Sequence, residues 1–595
     1  MSDAQGFSPQ YGRLPEPPRL RPTALALRLA LMALAAATVA LEHGFYEPRF
    51  AEVLLRGAQV VLLAIYAADV IVRQRTRTEP LPGAGAGGFD WALFALAGLG
   101  MAGFVAGVAE AWRLVEFVAV VLFCAELWRG NMALSRALAR PGVLLPISFL
   151  MLIAIGTLLL MMPVATPADQ PIGVVDAIFT ATSAVCVTGL IVRDTATGFS
   201  PFGHLVIAVL IQLGALGIII FGSVLALLFG RGLSLRDNVS LGEMLHDQPL
   251  NQITRFVRFI VLVTLGLELI AAAAVYPMWE GDLTWQERAA MSLFHTVSGF
   301  CNAGFDITGE SLIPYRYAPL THIIIMPLIG IGAIGFPVIE NVWRTAQAHL
   351  RRWRERRRAA RELPRPRLAL HTRMVLVTAG SVWILGTLAI TTGEMIAASL
   401  DEQRALGLGH ALVDGLFLAQ ASRTAGFTTI DMAELSDMSI FSLIVLMIIG
   451  GSPGSPAGGM KTTVLALLVL SVVATLRNRP ETEAFKRTLS DALVRRAATI
   501  AICYLGLAVM AVLVLSVTEA GRFGFKELVF DTVSAAGTVG LAFGVPAEAS
   551  DPGRIVLSLT MFLGRVGPLT LLGALMLAGR RRQGYRYAHE DVVLG

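Results

Sequence analysis

Lysine is almost missing from this chain. Of its 48 basic side chains only Lys461, Lys486 and Lys526 are lysines, and charged residues of all kinds make up 15% of the 595 residues. An ordinary soluble domain carries about a quarter charged residues, so an extensive water-facing surface is excluded. Cysteine is equally sparse: Cys124, Cys186, Cys301 and Cys503 show no C-x-x-C spacing, which excludes a zinc ribbon or a disulfide framework. There is no Walker loop, no His-Glu-x-x-His and no nucleophile paired with a base, and the Gly83–Gly88 run follows no strand and so forms no dinucleotide site. The expectation is a protein that is not an enzyme and holds no cofactor of its own. The formal charge of +5 resides in arginines placed between apolar runs, which excludes a nucleic-acid surface as its meaning.

What is abundant is apolar: 55% of residues are hydrophobic and the mean hydropathy is +0.67. Many runs reach the roughly 20 residues that span a bilayer as helices, and the expected class is an all-α polytopic membrane protein. The densest basic run is Arg351, Arg352, Arg354, Arg356, Arg357, Arg358 and Arg361, with others at 73–77, 129–140, 231–236, 477–496 and 580–586. Basic loops stay on the cytoplasmic side. Counting spans between them places both termini in the cytoplasm of a bacterial cell, with the chain in its inner membrane. The first apolar stretch, Thr23 to Ala40, reads as a retained helix. Residues 1–140 hold four expected helices, at 23–41, 50–72, 89–108 and 112–128. Their isolated Arg28 and Arg56 lack the three-residue arginine spacing of a voltage sensor, so a scaffold or dimerisation role is expected.

From residue 141 one unit is used four times. Val187-Thr188-Gly189, Asn302-Ala303-Gly304, Thr424-Ala425-Gly426 and Thr538-Val539-Gly540 are each followed by leucine or phenylalanine, and their glycines lie 115, 122 and 114 residues apart. So constant a period marks an internally repeated architecture. Phe179, Phe294 and Phe530, with Leu416 in the third unit, stand ten residues before the glycine, and Ser183, Ser298 and Ser534 stand six before. Each unit reads as helix, short half-helix, loop, helix, with boundaries at 141–235, 236–367, 368–490 and 491–595. Second helices are expected from Phe202 to Gly230, up to Trp343 and up to Gly579, for twelve full spans in all. Thr-Val-Gly is the kind of sequence whose carbonyls replace the hydration shell of a permeating cation. A selectivity filter with potassium held at Gly189, Gly304, Gly426 and Gly540 is the reading, and half-helices with their partially negative C-terminal ends toward the pore favour a cation there.

The segments 183–190, 300–305, 423–427, 450–463 and 564–570, together with the closing residues 586–595, resemble the Trk/Ktr/HKT superfamily of potassium transporters. The Ktr-type ion-translocating membrane subunit is the most similar, over residues 145–595. The resemblance implies four pore repeats around a central pore, potassium as substrate, a homodimer, and a separate ring of Rossmann-fold regulatory subunits that bind ATP, ADP or NAD. Their docking face would be the arginine-rich loop 344–367 and the basic tail, although those arginines could equally set topology and touch lipid. Sodium is the competing substrate, and a membrane sensor that keeps the pore fold is the competing class. Pro456 departs from the family pattern, which more often has threonine there.

The resemblance also implies a gating loop. Gly450, Gly451, Ser452, Gly454, Ser455, Gly458 and Gly459, with two prolines among them, cannot continue a helix. Lys461 and Arg565 are ionisable groups within apolar runs, functional by default, although a lysine there can also snorkel to the interface. Arg565 is expected to hold the loop shut through loop carbonyls. Asp194, Asp306 and Asp431 follow the filter glycines and read either as a cation-gathering mouth or as ordinary loop carboxylates. Glu268 and Glu394 read either as steps of a proton path or as helix–helix hydrogen bonds.

Overall fold

The computed structural model describes residues 22–43, 52–76, 86–108, 111–119, 121–122, 126, 141–217, 253–354, 367–400 and 407–567. The chain divides into two compact units, one of helices within the first 139 residues, the other holding everything described from 141 onward.

The first unit contains α1 (Pro22–His43), α2 (Glu52–Thr76) and α3 (Ala86–Val105), with further helical residues at 112–119, 121, 122 and 126. Met32, Tyr66, Trp112 and Leu122 form its apolar centre. Arg28 and Arg56, which look isolated along the sequence, each meet a carboxylate: Arg28 lies 2.9 Å from Asp69 and Arg56 lies 2.8 Å from Glu42. Gln59 donates to the other Glu42 oxygen and accepts from the Trp112 indole. Such pairing is what makes a guanidinium tolerable among apolar helices.

In the second unit, repeat 1 consists of α4 (Pro141–Leu160), the half-helix α5 (Val174–Val185) and α6 (Pro201–Leu216). Repeat 2 consists of α7 (Ile253–Val275), half-helix α8 (Trp285–Cys301), α9 (Met326–Ile334) and α10 (Phe336–Arg354). Repeat 3 holds α11 (Leu370–Leu400), half-helix α12 (Leu408–Ala421), α13 (Asp437–Ile448) and α14 (Thr462–Leu476). A small antiparallel hairpin, β1 (Thr482–Ala484) with β2 (Arg487–Leu489), precedes repeat 4, which consists of α15 (Asp491–Thr518), half-helix α16 (Phe525–Gly537) and α17 (Asp551–Val566). Ser200, Ser436 and Ser550 cap α6, α13 and α17 by accepting the N–H three residues on, as N-cap serines do. Glu394 and Glu519, near the ends of α11 and α15, accept in turn from the backbone N–H groups of Ser436 and Ser550. Glu394 therefore closes a helix–helix contact.

The second helix ends early in repeats 1 and 4 and is interrupted in repeats 2 and 3, where a break was expected in repeat 3 alone. α6 stops before Gly217 (φ 68°), α9 before Gly335 (φ 97°) and α17 before Gly567 (φ 87°). These left-handed angles end a helix, and only glycine adopts them without cost. At Gly335 the axis turns by 102° between residues 321–334 and 336–353. In repeat 3 the interruption is the whole segment between α13 and α14. Among the described residues, the helices long and apolar enough to cross a membrane unaided are 54–72, 255–278, 370–400 and 491–518, three of them first helices of a repeat. Residues 218–252, the arginine-rich stretch 355–366 and the tail 568–595 lie outside the described residues.

Candidate ion pathway

The half-helices end in the same way. In repeats 1, 2 and 4 the residues Val187, Asn302 and Thr538 are left-handed, at φ 55°, 59° and 49°. Their N–H groups donate three residues back, to Ala184, Gly299 and Ala535, and the next N–H donates five back, to Ser183, Ser298 and Ser534. This is the Schellman termination, here on two β-branched residues for which φ > 0 is a strained state of the kind that clusters at functional sites. Thr424 takes the same hand at φ 78° with a different closure, in which Ala425 and Gly426 donate four and five residues back to the same Ala421 carbonyl. The Ser183 and Ser534 hydroxyls, six residues before their glycines, accept the N–H of Gly189 at 3.1 Å and of Gly540 at 3.0 Å. The period-six serine thus fixes the loop.

The four glycines then close a ring. A methyl group built on Gly189 would lie 2.2 Å from the Ala303 carbonyl oxygen; on Gly304, 2.9 Å from that of Ala425; on Gly426, 2.6 Å from that of Val539; on Gly540, 2.3 Å from that of Thr188. Each glycine faces the carbonyl of the residue before the next glycine, in the order 1, 2, 3, 4 and back to 1. No side chain fits between them, and every repeat supplies one carbonyl at the same level. Thr188, Asn302, Ala303, Thr424, Ala425, Thr538 and Val539 are buried around this ring. Asn302 Oδ1, Thr424 Oγ1 and Thr538 Oγ1, equivalent in three repeats, have no protein hydrogen-bond partner among the described residues. Val187 holds that position in repeat 1.

The segment between α13 and α14 lies directly beneath. Gly450 and Gly451 donate to the carbonyls of Met460 and Gly458, and Thr462 donates to that of Gly451, pinching the two ends together. A methyl on Gly450 would sit 2.1 Å from the Gly458 carbonyl, and one on Gly458 would strike the Thr538 hydroxyl of the fourth filter loop. Ser452 N–H donates to the Ala333 carbonyl and Gly454 accepts from Phe336 N–H, so the tip is fastened across the break at Gly335. The Ser455 hydroxyl donates to the Ser452 carbonyl. Lys461 Nζ donates to Ala457 at 2.6 Å, inside the loop. Arg565 Nη1 donates to the Pro456 carbonyl and its Nη2 to the Gly214 carbonyl at 3.1 Å. A cavity of about 380 Å³ is lined by the loop, Gly217, Phe336, Lys461, Arg565 and Gly567.

One glycine pattern escapes a reading of the sequence alone. Gly214, Gly332 and Gly564 stand three residues before the helix breaks, and a methyl on each would come within 2.0, 2.0 and 2.1 Å of the carbonyls of Val185, Phe300 and Ala536. Each half-helix end rests on its own repeat's second helix through that gap. The signal was available as Gly-Ala-Leu-Gly, Gly-Ala-Ile-Gly and Gly-Arg-Val-Gly at corresponding places. Arg565 thus occupies the slot filled by Ala215 and Ala333 in repeats 1 and 2.

Other residues are not brought to the ring. Asp194 and Asp431 cap short turns by accepting from Ala196 and Ala433, and Asp306 accepts from Thr308 and Gly309. Glu268 accepts from Gln212 at 3.3 Å and from the Cys301 thiol at 3.7 Å, tying repeats 1 and 2 together. Three ion pairs among the described residues also cross between repeats: Arg554 with Asp176 at 2.8 Å, Lys526 with Asp437 at 3.0 Å, and Arg316 with Asp414, both of whose oxygens accept from the guanidinium.

These features define a polytopic membrane protein of four helix, half-helix and broken-helix repeats whose loops meet in one ring of backbone carbonyls. Residues 114–578 match the family model described as TrkH, cation transport protein, and the chain belongs to that family. The match begins ahead of residue 145. The chain is 32% identical to the Ktr system potassium uptake protein B of Bacillus subtilis over 461 residues, 76% of this chain and 97% of that one. It is 31% identical to the potassium/sodium uptake protein NtpJ of Enterococcus hirae, over the same shares. The crystal structure of the potassium transporter TrkH from Vibrio parahaemolyticus has the same fold, at a TM-score of 0.57 and 19% identity, covering 81% of this chain and 97% of that one.

Proposed function

We propose that this protein takes up potassium across the bacterial cytoplasmic membrane by letting the ion shed its water into the carbonyl ring at Gly189, Gly304, Gly426 and Gly540. The observation that carries this reading is the cyclic contact of each glycine with the next repeat's carbonyl, which leaves oxygen atoms and no side chain to meet an ion at that level. The half-helices end at the ring with their C-termini, whose partial negative charge favours a cation. The segment Gly450–Lys461 is the gate, and Arg565 is its latch. Both termini face the cytoplasm. The chain works as a homodimer in contact with membrane lipid, with soluble Rossmann-fold subunits that bind ATP, ADP or NAD acting on the gate from below; relatives named as parts of a Ktr system support such a partner. Of the arginine-rich loop 344–367, the part beyond α10, together with the basic tail, supplies the proposed docking elements.

Expression in a cell lacking its own potassium uptake tests the reading: radioactive rubidium should accumulate and growth at low potassium should return. A chain that reaches the membrane and restores neither would be the sensor that keeps the pore fold. A second transport reading has support in the name of the Enterococcus hirae relative, a potassium/sodium uptake protein. Sodium that competes with rubidium as well as potassium does would favour it.

A further inference from the structure

The turn at Gly335 lays α10 across the direction of the helix before it, at 102°. If 321–334 runs through the membrane, α10 lies along its surface. At 100° per residue, Val338, Asn341 and Thr345 fall on one stripe, which is the face packed on the protein; Asn341 Oδ1 accepts from Ala369 N–H just ahead of α11. A second stripe, about 100° wide, holds Val342, Trp343, Ala346, Leu350 and Trp353, and it is open: Trp343 is 57% exposed, Leu350 48% and Trp353 56%. The third stripe is polar and basic, with Arg344, Arg351 and Glu340, the last held at 2.5 Å by Arg344. A soluble surface would not leave Val342, Trp343 and Leu350 exposed on one stripe beside arginines. An interfacial helix does, because indole rings settle at the headgroup level and arginine reaches the phosphates.

We propose that α10 is an in-plane membrane-surface helix that binds anionic phospholipid of the inner leaflet, with Trp343, Leu350 and Trp353 among the acyl chains and Arg344 and Arg351 on the headgroup phosphates. The same helix starts at the break whose Phe336 N–H donates to Gly454 of the loop. Lipid composition therefore acts on an element fastened to the loop tip. Regulatory protein would dock elsewhere on the inner face.

Two measurements on the full chain test this, neither of which reads transport, so a failure here leaves the uptake reading untouched. Native mass spectrometry after purification in mild detergent should show retained phosphatidylglycerol, and Arg344→Gln with Arg351→Gln should retain about fivefold less for each arginine removed; Arg351→Gln alone serves if the pair does not fold. In vesicles with bromine on the acyl chains of phosphatidylglycerol, Trp343→Phe with Trp353→Phe should lose a measurable share of the tryptophan quenching. Equal lipid retention in the arginine variants, or unchanged quenching without the two indoles, would overturn the proposal. So would arginine variants that keep the lipid but lose a soluble protein partner, which would make α10 a protein-docking helix.

Discussion

Arg565 donates an N–H from one guanidinium nitrogen to the carbonyl of Pro456 at the tip of the loop between α13 and α14, and from the other to the carbonyl of Gly214, near the end of the second helix of repeat 1. One side chain of repeat 4 therefore fastens a loop of repeat 3 to a helix of repeat 1. Charge-assisted hydrogen bonds contribute about 1.5–3 kcal/mol each. Losing about 2 kcal/mol from the closed arrangement would shift its balance with an open one by roughly 30-fold.

Arg565→Ala, and separately deletion of Ser452–Met460, should raise the maximal rate of rubidium uptake and make it less dependent on any soluble partner, with ion preference unchanged. Flux from vesicles holding the purified chain is the measurement. A wild-type rate in both variants would place the gate elsewhere.

The ring geometry ranks the filter glycines. Serine at Gly189 or Gly540 puts Cβ against a neighbouring carbonyl at 2.2 or 2.3 Å, whereas at Gly304 the nearest atom is 2.8 Å away. Gly304→Ser should therefore fold best and lower the preference for potassium over sodium about tenfold, a loss of roughly 1.4 kcal/mol. The other substitutions should also reduce expression. Competition of sodium and potassium against rubidium, alongside yield in the membrane, checks both halves.

The serines divide unequally. Ser183→Ala and Ser534→Ala each remove the acceptor for a filter glycine's N–H and should cost about 1 kcal/mol, lowering the melting temperature in detergent and the ion preference together. Ser298→Ala should change neither, because the Ser298 hydroxyl has no hydrogen-bond partner among the described residues.

Alanine at Gly214, Gly332 or Gly564 forces a methyl against a half-helix carbonyl, and overpacking of this kind costs about 1–3 kcal/mol. Thermal unfolding of the purified variants should fall clearly below wild type, whereas Gly266→Ala, whose methyl would meet nothing within 4 Å, should not.

The four-unit plan was legible because a glycine that must take a left-handed angle recurs at a near-constant interval, and because a loop with five glycines and two prolines among its first ten residues admits no helix. The helix ends in repeats 1, 2 and 4 were not. Gly217, Gly335 and Gly567 sit inside long apolar runs, where a glycine is as compatible with a packed helix as with its end. The sequence pointed Arg565 at the loop carbonyls but could not single out Pro456 among them, nor give Gly214, 351 residues away, as the second acceptor. The three filter-side aspartates each cap their own turn, accepting from the N–H two residues on.

The central claim is that a potassium ion passes through the ring at the four glycines, and rubidium uptake into sealed vesicles containing only this chain tests it most directly. Uptake should be displaced by unlabelled potassium at concentrations about tenfold or more below those needed with sodium, and Gly304→Ser should narrow that gap. No uptake by the folded chain or by its Arg565→Ala variant, or equal displacement by both ions in the wild type and in Gly304→Ser, would contradict it.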